Sequence, residues 1–192
     1  PGPPPPGRVQ ERDSGHVVVK NSVIGQGVEI GPFTVIEDSF IGAGARIGSH
    51  CKIKGSAVGA GTLVCNASVI NYSVCMEGSI LNTSTLNFSV VGRGAHIGSL
   101  SVGDTYFDRR TVRTHLGGRV VDSRMYVLGF CCGHEAKIAS GLSIQPGASI
   151  PGGYHVHNPE GISRLPEGFP RGRPLFWLNG RLRDLGLKGE PR

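Results

Sequence analysis

Aromatic residues make up only 6% of the 192 residues, and there is a single tryptophan. A core built on ring packing is therefore excluded. No apolar run is long enough to cross a bilayer as a helix, and the first residues lack the charged-then-apolar order of a secretory signal. The expectation is a cytoplasmic chain with no membrane partner. The five cysteines, Cys51, Cys65, Cys75, Cys131 and Cys132, are odd in number and unevenly spaced, which argues against a disulfide framework. They read as small apolar residues of a packed interior. Cys131 and Cys132 precede His134, but no second Cys/His pair at ligand spacing accompanies them, so no metal is expected. The histidines His96 and His134 are too solitary for a three-histidine zinc site between coils. Zinc-finger spacing and aromatic–basic interleaving are also missing, so nucleic acid is not an expected partner.

What the chain has instead is glycine, 31 residues of it, and a period of six. Ile24-Gly25, Ile30-Gly31, Ile41-Gly42, Ile47-Gly48, Val58-Gly59, Val91-Gly92 and Ile97-Gly98 repeat one pattern. Neither 3.6 nor 2 explains that spacing. A coil of three short flat walls, each with one aliphatic side chain inward, does; it is the hexapeptide parallel β-helix. The predicted inward set is Ile24, Ile30, Ile36, Ile41, Ile47, Ile53, Val58, Val64, Val69, Val74, Ile80, Leu86, Val91 and Ile97. With roughly 18 residues per turn, about four coils fit before Gly98.

Residues 1–15 read as a proline-rich linker, extended and solvated, of the kind that follows another domain. The β-helix is predicted over 16–153. An excursion over 99–127 breaks the period, and its alternation around Gly117-Gly118 predicts a hairpin. The period resumes at Leu128, Cys132, Ile138, Ile144 and Ile150. The tail, 154–192, contains Leu175, Phe176, Trp177 and Leu178, read as an apolar cap for the open coil end; WLNGRLRDLGLK has only weak helical spacing.

The run NSVIGQGVEIGPFTVIEDSFIGAGARIGSHCKIKGSAVGAGTLV (21–64) resembles the C-terminal β-helix of sugar-nucleotidyltransferases. LGFCCGHEAKIASGLSIQPGASIPGG (128–153) is similar to the last coils of the acetyltransferase domain of bifunctional N-acetylglucosamine-1-phosphate uridyltransferase/glucosamine-1-phosphate acetyltransferases, especially the archaeal type. FDRRTVR at 107–113 matches in place. The resemblance covers residues 20–153 and implies an all-β, left-handed parallel β-helix, a homotrimer with sites between prisms, and acetyl-CoA as acyl donor. The expected acceptor is a phosphorylated amino sugar or a sugar nucleotide.

Acetyl transfer to an amine needs a base, an oxyanion donor and a groove for the pantetheine arm. The family's base falls on Met76, which cannot accept a proton. His96, expected to face outward before inward Ile97, and His115, beside Arg113, are the replacement candidates. The family's asparagine falls on Ser99, which keeps a hydrogen-bonding hydroxyl, and its tyrosine on Leu100. Arg110 and Arg113 keep positive charge for a phosphate. His134 and Gly152 fall on the CoA-lining positions of the last coils, with Lys137 beside them. The density of Arg109, Arg110, Arg113, Arg119 and Arg124 in one excursion, with the net charge of +6, also points to an anionic ligand. The alternative reading is a non-catalytic trimerising or regulatory β-helix of a sugar-1-phosphate nucleotidyltransferase, its catalytic histidine lost.

Overall fold

In a computed structural model, which describes residues 7–13, 16–82, 85–157, 175–178 and 181–184, the chain is an all-β left-handed parallel β-helix with one extruded loop. The described residues contain no helix long and apolar enough to cross a membrane.

Three walls carry the coil. The first stacks Val17–Ile24, Thr34–Glu37, Lys52–Lys54, Val69–Asn71 and Thr85–Asn87 in parallel, followed by Ser101–Val102 and Ser143–Ile144, which pair with each other. The second continues from Val23 and Ile24 through Phe40–Ile41, Ala57–Val58, Val74–Cys75, Val90–Val91, Cys131–Cys132 and Ser149–Ile150. The third is a seven-stranded sheet from Glu29–Ile30 to His155–Val156.

The walls are two to four residues long because each corner is a sharp turn. At the first-to-second corner Asn21, Asp38, Gly55, Tyr72 and Phe88 all have positive φ, between 44° and 57°. Only glycine adopts this region freely; the other four are held there by the coils above and below. Gly55 is required for a second reason: a Cβ there would lie 2.7 Å from the Tyr72 ring.

Each coil contributes one buried aliphatic or thiol per wall. Ile36, Ile53, Ile70 and Leu86 line the first wall, Ile41, Val58, Cys75 and Val91 the second, and Ile47, Val64, Leu81 and Ile97 the third, all at most 3% exposed. Burying each aliphatic contributes about 1.5–3 kcal/mol. All five thiols are free; Cys51, Cys75 and Cys132 are buried as the apolar reading anticipates, whereas Cys65 is half-buried and Cys131, on the outward position of its wall, is exposed. Burial pushes the Cys75 thiol up to about 12 and Cys132 to about 11.

A buried polar ladder runs beside this core. The hydroxyls of Ser22, Ser39, Ser56, Ser73 and Ser89 each donate to the carbonyl two residues back. Each accepts, at 3.1 Å, the backbone N–H of the equivalent residue one coil on. The last acceptance is from Phe130, 41 residues after Ser89 instead of 16 or 17. No described buried side-chain oxygen or nitrogen lacks a partner, as a dry interior demands.

The structure departs from the sequence expectations in register. Val69, Val74 and Ile80 point outward or lie at the edge; Ile70, Cys75 and Leu81 fill the core. Each pair is a doublet of apolar residues, so hydropathy leaves the choice open, and stacking decides it. Equivalent residues recur after 17 positions, then 16 (Phe40, Ala57, Val74, Val90). Five coils, not four, therefore precede Gly98. Ser101–Val102 still belongs to the coil, so the excursion leaves later than 99. Re-entry is marked by Phe130, 2% exposed, in place of Leu128, which is only half-buried.

Gly7–Asp13, within the expected linker, is a strand. It pairs antiparallel with Val17–Ile24, from Gly7 opposite Ile24 to Asp13 opposite Val18, and so covers a sheet edge that would otherwise offer unpaired backbone groups. The last 35 residues form a separate unit. In it Leu175–Leu178 and Arg181–Asp184 make an antiparallel hairpin in place of weak helical spacing; the capping role expected of these side chains lies outside what is described.

Candidate functional site

The coil sorts the candidate residues by column. On the third wall His96 pairs in register with Ile80 on one side and Lys137 on the other, and Lys137 with His155. Their alternate partners, Leu81, Ile97 and Ile138, face the core, so His96, Lys137 and His155 all project from the outer surface and are exposed. The outward orientation expected of His96 is what forms. His157 follows, its ring 6.4 Å from that of His155.

At the second-to-third corner His134 and Gly152 come together. A Cβ on Gly152 would sit 2.9 Å from the His134 carbonyl oxygen, and that carbonyl accepts from Gly153 N–H. The His134 ring is oriented by the coil before it: Arg93 N–H donates to His134 Nδ1 at 3.0 Å. The proton of the neutral ring is thereby left on Nε2, making His134 a donor toward solvent and not a base. The Arg93 guanidinium pairs with Glu77. The backbone N–H of Glu77 and then Arg93 hold that carboxyl below the usual range. Met76, half-buried, occupies a column in which Gly25, Gly42, Gly59, Gly92 and Gly133 precede a final Pro151. A Cβ at Gly59 would lie 2.4 Å from Glu77 N.

Ser99 sits at the next corner. Its N–H donates to Ser140 Oγ at 3.0 Å and its carbonyl accepts from Gly141 N–H. It lines an open cleft of about 600 Å³ with Leu100, Val102, Gly141, Leu142 and Ser143. Leu100 itself is buried.

The excursion leaves after Val102 and returns at Phe130, between the first and second walls and so opposite the third. The predicted hairpin is present: Arg113–Leu116 pairs with Arg119–Asp122 about Gly117 and Gly118, both at positive φ, as a two-residue turn requires. Arg110 is engaged locally. Its Nε lies 3.4 Å from Asp108 and its guanidinium 4.3 Å over the Tyr106 ring. Arg113 and His115 are exposed on the hairpin. Asp122 is held below the usual carboxylate range by the Arg124 backbone N–H, the Thr111 hydroxyl and the charges of Arg113 and Arg124.

The candidates thus fall into two groups. His96, Ser99, His134, Lys137 and Gly152 lie on or beside the third wall; Arg110, Arg113 and His115 lie on the excursion. No hydrogen bond, ion pair or ring contact among the described residues joins one group to the other. Among the described residues no group of three or more His, Cys, Asp or Glu side chains is placed to hold a metal ion.

No family model and no curated protein matches the chain. Solved structures do. The acetyltransferase domain of PglB from Neisseria gonorrhoeae is 14% identical over 74% of this chain and 51% of its own, with a TM-score of 0.34. An Arabidopsis UDP-N-acetylglucosamine acyltransferase is 18% identical over 74% of this chain and 48% of its own, with a TM-score of 0.39. The corresponding acyltransferase from Campylobacter jejuni is 14% identical over 67% and 65%, with a TM-score of 0.26. The chain spans about half the length of the first two. Likenesses of this strength carry nothing beyond the shared coil.

Sequence reasoning reads His155 and His157 as alternating residues of a terminal strand, and His155–Val156 is that strand, paired with Lys137–Ile138 as part of the coil. It misses Glu77 and Arg93. The signal was present in the coil arithmetic: once the register is known, His155 falls one coil after Lys137, and Glu77, Arg93 and His134 fall on one corner. Only the step from Arg93 to His134 spans 41 residues, because the excursion lies between them; Glu77 to Arg93 was hidden by the change from 17 to 16 residues per coil.

Proposed function

We propose that the chain is an acyl-transfer module of the hexapeptide class, working as a homotrimer that passes an acetyl group from acetyl-CoA to the amine of a phosphorylated amino sugar or sugar nucleotide. The observation that supports this best is the exposed His96–Lys137 column on the outer third wall, one corner from the Ser99 cleft. His96 takes the proton of the attacking amine. The amine nitrogen bonds to the thioester carbon, and the oxyanion so formed collapses with cleavage of the C–S bond; the CoA sulfur takes the proton held on His96 and leaves as the thiol. The Ser99 hydroxyl is the hydrogen-bond donor available to the acyl group, while His134 and Gly152 line the CoA groove and Lys137 meets a CoA phosphate. Arg110 and Arg113 hold the acceptor phosphate. Because they lie opposite the third wall, they serve the site of a neighbouring prism, which is why the reading requires an oligomer.

The test is release of CoA thiol with glucosamine-1-phosphate and related amino-sugar nucleotides as acceptors. His96→Ala is expected to lower kcat by about 10²–10⁴, the range for loss of a general base, with acetyl-CoA binding retained. A chain that forms a stable oligomer and releases no CoA with any of these acceptors defeats the proposal and leaves a scaffold in which Met76 marks a lost base.

A further inference from the structure

The excursion carries a second feature that the acyl-transfer roles do not use. Its two legs, 105–109 and 126–127, enclose a pocket of about 600 Å³ lined by Thr105, Tyr106, Phe107, Arg109, Tyr126 and Val127. In a chain so poor in rings, three of them converge here. Phe107 is fully exposed and Tyr126 largely so, while Tyr106 is half-buried with its hydroxyl donating to the Pro146 carbonyl.

The legs are fastened. Leu128 N–H donates to the Asp104 carbonyl at 2.8 Å, and Asn87 Nδ2 to the Asp104 carboxylate at 2.9 Å. Val112, completely buried, exchanges backbone bonds with Met125 and Ser123. The rings are therefore presented on a braced frame and not on a loose loop.

The charges are already sorted. Arg110, beside Asp108 and over Tyr106, has the acceptor phosphate as its role, whereas Arg109 has no part in that reading and no ion pair among the described residues. Arg109 is held in the pocket wall at φ 54°, a conformation that costs a non-glycine residue free energy, by its N–H bond to the Tyr106 carbonyl. No carboxylate or amide lines the pocket, so a sugar would find few partners for its hydroxyls. Several π-faces beside one unpaired guanidinium fit a planar base carrying phosphate.

We infer that this pocket is a nucleotide subsite, with Tyr106, Phe107 and Tyr126 packing against the base and Arg109 meeting a phosphate. The inference rests on the acyl-transfer reading for its place in catalysis, since either the acceptor or CoA brings a nucleotide. It does not need turnover to be tested.

Titration calorimetry of the full chain with UDP, 3′,5′-ADP, glucosamine-1-phosphate and inorganic phosphate separates the cases. Saturable binding of a nucleotide is expected, weakened about tenfold or more by Phe107→Ala or Tyr126→Ala, as loss of base stacking predicts, and weakened by Arg109→Gln. UDP alone binding in this way assigns the pocket to the acceptor; 3′,5′-ADP alone assigns it to the donor. No nucleotide binding overturns the inference, as does binding that ring removal leaves unchanged or that inorganic phosphate matches. A change of oligomeric state in Phe107→Ala or Tyr126→Ala without any nucleotide binding overturns it too, marking the rings as a subunit contact. The acyl-transfer reading fails separately, by absent CoA release from a chain that still binds nucleotide.

Discussion

The regular coil and the excursion use the same twenty side chains under different rules. In the coil, a residue's role follows from its position within a turn of 16 or 17: Ile53 is buried because Ile36 and Ile70 are, and Ser56 is bonded because Ser39 and Ser73 are. In the excursion each contact is local and individual, as with Asp108 on Arg110, Asp122 capping Arg124 N–H at 2.8 Å, and Val112 under Gly147. The coil is thus insulated from most surface change and intolerant of interior change. The excursion can alter its chemistry residue by residue while Phe130 keeps the register beneath it.

The contrast makes a ranked set of expectations. Ile53→Ala, at a completely buried site, is expected to destabilise by about 2–5 kcal/mol, read from the urea midpoint. A loss below 1 kcal/mol would mean that the stacked interior relaxes more freely than a close-packed core. Ser56→Ala removes the acceptor of the buried Ser73 N–H and is expected to cost about 1–3 kcal/mol; a neutral result would show the ladder to be decorative.

The buried thiols give a pH signature. Their folded values, about 12 for Cys75 and about 11 for Cys132, lie above the ordinary 9.0. Above pH 9 the unfolded chain binds fewer protons than the native one, so stability is full below pH 9 and falls as pH rises toward 11–12. Urea midpoints between pH 8 and 11 should drop less steeply in Cys75→Val than in the parent; identical slopes would show that Cys75 has no part in the loss. At the far end, Leu116→Ser at the exposed hairpin tip is expected to move stability by no more than about 0.5 kcal/mol. A shift comparable to that of Ser56→Ala would erase the distinction between the two regions.

How much could be read in advance follows the same division. Single aliphatics between a polar residue and glycine, such as Ile47 and Ile97, declared their inward position because nothing adjacent competed. Val69-Ile70 and Ile80-Leu81 did not, since either member satisfies hydropathy and only the serine and aromatic columns of neighbouring turns choose between them. The hairpin was legible from Gly117-Gly118, whose turn chemistry is local. The strand at 7–13 was not, because its partner is a sheet edge that exists only after the first turn has formed. Of the candidate site, the outward placement of His96 followed from inward Ile97. Its alignment with Lys137, 41 residues away, required knowing where the excursion re-enters.

That re-entry has a wider consequence. The hydroxyl of Ser89 accepts Phe130 N–H at the same 3.1 Å that joins its predecessors across 16 or 17 residues, although a whole hairpin intervenes. The corner therefore acts as a socket, indifferent to the length of what is plugged into it so long as both ends arrive. Segments of other sizes and chemistries can be exchanged there, by evolution or by grafting, without asking the prism to change its pitch.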